Sequence, residues 1–181
     1  MSKDLQATLH DFNGYAGKPR TDLPWLNGTV KGFPNRVTGF YDCALAVSYF
    51  TGISPVIVSC GVLMDYLKKL GTWTTTGQPN KGDVVIFGWS GNKQDHDHTG
   101  LVLWVKPNGN DWNVTYVSAD STQNPPPPGL VTINTVSSKY VTGWGNPKVW
   151  ADAAPVTVPD HTPVVPVADP AQSAAHASKA V

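Results

Sequence analysis

Cys43 and His98 are the two residues whose types and settings could carry nucleophilic chemistry. Cys43 stands in Asp42-Cys43-Ala44, at the opening of an apolar run that reads as a helix. A thiol in the first turn of a helix faces unpaired backbone N–H groups and the positive end of the macrodipole, and both favour thiolate over thiol. The same N–H groups can hold the oxyanion of a tetrahedral intermediate, so Asp42 as N-cap and Cys43 together mark the expected oxyanion site. His98 stands in Asp97-His98-Thr99-Gly100-Leu101-Val102, at the start of an expected strand, with Gly100 leaving room beside it. An imidazole there could act as base toward Cys43 and then as acid toward a leaving amine. Taken singly, Cys43 reads as readily as a small core residue, and His98 as a loop histidine. The order of the two segments, with an apolar Lys81-Gly82-Asp83-Val84-Val85-Ile86-Phe87 strand just before the histidine, makes the pair specific.

Such a pair needs a third polar group to orient the imidazole. Ser118, Asp120 and Asn124 lie near the end of the next expected strand. Asp120 is the strongest of these by chemistry, because a carboxylate fixes the tautomer and stabilises the imidazolium. Cys60 sits in an apolar stretch, Val56 to Met64, and reads as a buried, inert thiol. A bridge to Cys43 is disfavoured for a chain made in a cytosol. Trp73, Trp89 and Trp144 are expected to line a substrate groove, although tryptophan is more often core. A zinc hydrolase is the competing chemistry, because His96 and His98 fall two apart on an extended segment. A third ligand would have to come from His10, His161 or His176, in the lead-in and the tail. The expectation is therefore no metal and no other cofactor.

The elements that must position these groups can be read from periodicity. Leu5, Leu9 and Phe12 mark a short first helix. Asp42 to Phe50 reads as a helix with Leu45, Ala46, Tyr49 and Phe50 on one face and Gly52 as its stop. A further helix is expected from about Val58 to Lys69, closed by Gly71. After the threonine-rich stretch at 72–76 the pattern changes to strands, at 84–87, 99–105, 112–118, 130–136 and 141–144. Asn108-Gly109-Asn110 is a turn signal between two of them, and the four prolines at 125–128 form a stiff loop between two others. From Ala151 the composition becomes Pro- and Ala-rich, a linker or tail, so the division expected is 1–150 and 151–181.

The 181 residues carry 13 basic and 13 acidic side chains, a net charge of zero that gives no electrostatic reason to expect nucleic acid or anionic membrane as partner. No apolar stretch is long enough for a bilayer span, and Met1-Ser2-Lys3-Asp4 does not open a signal peptide. Seventeen glycines, sixteen prolines and sparse charge suit a loop-rich α+β domain better than a helical bundle.

Tyr41-Asp42-Cys43-Ala44 before a helix, then Gly71-Thr72-Trp73, the Lys81–Phe87 strand, Asp97-His98-Thr99-Gly100-Leu101-Val102 and a closing Thr142-Gly143-Trp144-Gly145-Asn146-Pro147, resemble the CHAP family. These are cysteine, histidine-dependent amidohydrolases and peptidases, a papain-like branch related to NlpC-type cell-wall peptidases. The resemblance covers roughly residues 36–150. It implies an α+β, papain-like fold with N-terminal helices on a five- to six-stranded antiparallel sheet. It implies bacterial peptidoglycan as substrate, cut at an amide bond by an endopeptidase or N-acetylmuramoyl-L-alanine amidase activity. Cys43 matches the nucleophile and His98 the base. Asp120 takes the family's Asn place, while Ser118 replaces the usual Glu. No acidic cluster supports a calcium site of the kind some phage members have. With the linker, the chain is similar to a phage endolysin. The implied protein is a monomer, made in the host cytoplasm, released through holin pores, and followed by a cell-wall-binding domain. A non-catalytic wall-binding module of the same shape is the alternative outside enzymology.

Overall fold

A computed structural model describes residues 3–18, 20–26, 28, 30–32, 42–90, 94–120 and 130–151. All of these fall in a compact unit, Met1–Ala151; the second unit, Asp152–Val181, lies outside the described residues, as do Tyr41, Asn124, the four prolines, His161 and His176. Among the described residues, three helices precede one sheet: α1 (Leu5–Asn13), α2 (Asp42–Thr51) and α3 (Cys60–Lys69), then β1 (Val84–Phe87), β2 (His98–Asn108), β3 (Asp111–Asp120), β4 (Leu130–Ser137) and β5 (Val141–Gly145). The architecture is α+β, as the sequence pattern predicts, and the sheet has five antiparallel strands in the order β4-β3-β2-β1-β5.

α2 is short and almost wholly apolar because it is enclosed. Residues 43–48 are all buried, and the helix packs against β2 and β3. It ends where Gly52 takes a left-handed backbone (φ 70°) and returns its N–H to Ser48 O at 2.9 Å, the stop that glycine permits without a Cβ clash. Ser48 Oγ ties the chain that follows, accepting from Ile57 N–H and donating to Ile57 O, both at 3.1 Å.

The sheet separates two apolar layers. On the helix side, Leu45, Val47, Phe50, Leu63 and Leu67 meet Val84, Leu101, Leu103, Val117, Ala119 and Val131. On the other side, Val85, Phe87, Val102, Val114, Tyr116, Val141 and Trp144 form a second cluster. Burial on both faces explains why β1 is continuously apolar rather than alternating. β2 and β3 run longer than their apolar stretches, to Asn108 and from Asp111, because the Gly109-Asn110 turn joins them as a tight hairpin with Asn108 opposite Asp111.

Candidate active site

Cys43 is the second residue of α2 and is 5% exposed. The burial of Ala44, Leu45, Ala46 and Val47 behind it fixes how α2 presents its first turn. His98 is the first residue of β2, paired with Phe87 across β1. The approach to it is pinned twice through Asp97. Its N–H donates to Phe87 O at 2.8 Å, and its carboxylate accepts from Trp89 N–H at 2.9 Å. The imidazole is 3% exposed and is held between aromatic rings: Phe87 and Trp89 stack on it at 6.1 and 5.9 Å, and Tyr116 meets it nearly edge-on at 5.8 Å.

Ser118, on β3 and fully buried, places Oγ 3.0 Å from His98 Nε2. Nε2 therefore faces the serine, and the imidazole also hydrogen-bonds the Cys43 sulfur. Gly100 makes the close β2–β3 approach possible. A Cβ there would lie 2.6 Å from both Tyr116 Cδ2 and Val117 O and 3.2 Å from Ser118 Cβ. Three elements, α2, β2 and β3, thus bring one thiol, one imidazole and one hydroxyl together.

The Cys43 thiol is pulled well below its ordinary pKa. The largest cause is a hydrogen bond from Cys60, whose sulfur is 3.7 Å away. Burial opposes the shift. The His98 imidazole favours the thiolate by hydrogen bond and by charge, and Thr99 N–H adds a backbone donor. Cys60 is pushed strongly the other way, first by its bond to Cys43, then by burial, then by the Cys43 and Asp97 charges. Both cysteines are free thiols. Cys60 is buried, as its sequence setting predicts; what an apolar stretch does not reveal is that the sulfur at its centre meets another one.

The other expected site residues divide. Asp42 opens α2, and Asp120 ends β3 opposite Leu130, but the side chains of both lie outside the described residues. The hydroxyl seen on the imidazole belongs to Ser118, the group that chemical ranking alone put behind Asp120. Trp73 is half-buried. With Met64 it packs against the cluster of Cys43, Ala44, Cys60 and Ile86, and both line an adjoining groove of about 290 Å³ with Lys68, Gln94, His96 and Thr142. Trp89 is a wall of the imidazole's seat. Trp144 departs from the groove expectation. It is 4% exposed and packs edge-to-face with Trp112 (5.6 Å) in the layer away from the helices, because β5 is covered on both faces.

His96 borders the groove, and His10 is exposed on α1. Among the described residues no group of three or more His, Cys, Asp or Glu side chains could hold a metal ion. A larger hollow, about 550 Å³, lies at the far end of α2 against Lys3, Asp11, Tyr15 and Phe50. It contains no thiol, so size does not mark the chemistry here.

No family model matches the chain, and no curated protein does. Two solved structures resemble it at low identity. The crystal structure of Ly7917 is 13% identical over 80% of this chain, with a TM-score of 0.49. The crystal structure of Ly7917 with the hydrolyzing product of MDP is 15% identical over 80%, with a TM-score of 0.44. This chain spans 63% of the length of each.

Proposed function

We propose that the protein is a cysteine-dependent peptidoglycan hydrolase, the catalytic unit of a phage endolysin, acting on an amide bond of the bacterial wall. The observation that carries the chemistry is the buried chain of contacts from Cys43 through His98 to Ser118. The wall peptide as substrate rests on the CHAP-like order of the Asp42-Cys43, Gly82-Asp83 and Asp97-His98-Thr99-Gly100 segments.

The reaction follows from the groups present. The Cys43 thiolate attacks the amide carbonyl carbon, and the carbonyl electrons move to oxygen. N–H groups at the start of α2 stabilise that oxyanion. Protonated His98 gives its proton to the departing amine as the C–N bond breaks, leaving a thioester on Cys43. Neutral His98 then takes a proton from water, whose oxygen attacks the thioester, and the acid leaves as the sulfur returns to thiolate. Ser118 holds the ring throughout, accepting from Nε2–H when the imidazole is charged. The groove beside Trp73 and Met64 is the space for the wall peptide.

The test is release of new amino groups from purified cell walls by the wild type and by Cys43→Ala. Loss of release in the variant is expected. Equal release would end the proposal, and binding to walls without release by the wild type would return the non-catalytic alternative. Mass spectrometry of the products identifies the bond.

A further inference from the structure

We propose that Cys60 is a positioning residue for the reaction at Cys43: its thiol donates the hydrogen bond that fixes the nucleophilic sulfur in the closed space where α2 and α3 begin. The proposal rests on Cys43 being the nucleophile. The two sulfurs are 3.7 Å apart, within reach of an S–H···S⁻ bond. They come from the starts of two different helices and share one small cluster with Ala44 and Ile86. Cys60 is 6% exposed and Cys43 is 5%, so solvent supplies little of what an anion there requires. A buried charge without a donor is costly, and a hydrogen bond to a charged acceptor is stronger than one between two neutral thiols.

Distance alone does not say which sulfur donates. The surroundings do. His98 and the Thr99 N–H act on Cys43, whereas the charge acting on Cys60 from outside the pair is that of the Asp97 carboxylate. Positive charge and a donor on one side, and negative charge on the other, put the anion on Cys43 and the proton on Cys60. The donor then serves twice. It holds the resting thiolate, and it receives the sulfur again when water breaks the thioester.

The experiment is a pH titration of thiolate absorbance in the wild type, Cys60→Ala and Cys60→Ser, with wall hydrolysis measured across the same range. In Cys60→Ala, Cys43 is the only cysteine left. Its titration should move up by about one pH unit or more, the loss expected for a hydrogen bond to a charged group. The acid limb of hydrolysis should move with it, and Cys60→Ser should restore most of the shift by restoring a donor. An unmoved midpoint in Cys60→Ala would overturn the proposal. So would equal shifts in the Ala and Ser variants, which would mean that filling space matters and donation does not. Cys60→Val, which fills the site without a donor, replaces the alanine variant if that does not fold. The absorbance reads the thiolate whether or not walls are cut. A titration that behaves as expected beside a Cys43→Ala protein that still cuts walls would remove the functional reading and, with it, the positioning role, leaving only the hydrogen bond between the two sulfurs.

Discussion

Ser118 Oγ and His98 Nε2 lie 3.0 Å apart on adjacent strands, with both side chains closed to solvent. A hydroxyl is a partner of the imidazole. Ser118→Ala leaves that nitrogen without this bond in a buried seat, a loss of ~1–2 kcal/mol. The expected result is a fall of roughly tenfold in kcat for amine release from walls, with a smaller change in KM. Asp120→Ala, measured beside it, should cost less. A larger loss in Asp120→Ala would give the orienting role to the carboxylate.

Thiol reactivity should separate the two cysteines. Cys43 is lowered and Cys60 raised, so iodoacetamide at neutral pH should modify Cys43 first. Mass mapping of the alkylated peptides reads this directly, and equal labelling in the folded protein would contradict a lowered Cys43.

Linkage gives a signature in stability. The folded pKa of Cys43 is below its ordinary 9.0, so its contribution is present above that value and is lost as pH falls through the folded pKa. The folded pKa of Cys60 is above the ordinary 9.0, so its contribution is present below that value and is lost as pH rises. Under reducing conditions, the melting-temperature advantage of the wild type over a Cys43→Ala/Cys60→Ala double variant should therefore widen from acid pH toward about 9 and narrow beyond it. A difference that stays flat with pH would deny the opposed shifts.

The tryptophans should respond differently to truncation. Trp144→Ala empties a buried site and should destabilise the fold by ~3–5 kcal/mol, seen in denaturant midpoints. Trp73→Ala should instead raise KM by about tenfold, the equivalent of roughly one lost aromatic contact. Equal destabilisation by both would place Trp73 in the core as well.

Dialysis against a chelator should leave wall hydrolysis unchanged, because the proposed steps use only side chains and backbone N–H groups of this chain and water. Loss of activity that zinc restores would favour the alternative built on His96 and His98.

Much of the fold is legible in the sequence because each element meets a simple rule. Gly52 ends α2 by its left-handed backbone, the apolar run 84–87 is a strand covered on both sides, and Asn108-Gly109-Asn110 turns a hairpin. The segments that hold Cys43 and His98 are legible for the same reason: each opens an element with a local signature. What joins them is not local. Ser118 meets the imidazole through strand register, which chemical ranking of side chains does not contain. Trp144 is core because β5 is covered on both faces, and one strand's alternation cannot show its second cover. The contact between Cys43 and Cys60 depends on two helix starts converging, which no spacing within either helix encodes.

The non-neighbouring origin of the site has a consequence for biosynthesis. Cys43 leaves the ribosome before His98 and Ser118, which stand on β2 and β3. A partly made chain holds a thiol but no assembled relay. Under the proposed function, the three groups can meet only after β3 has been made.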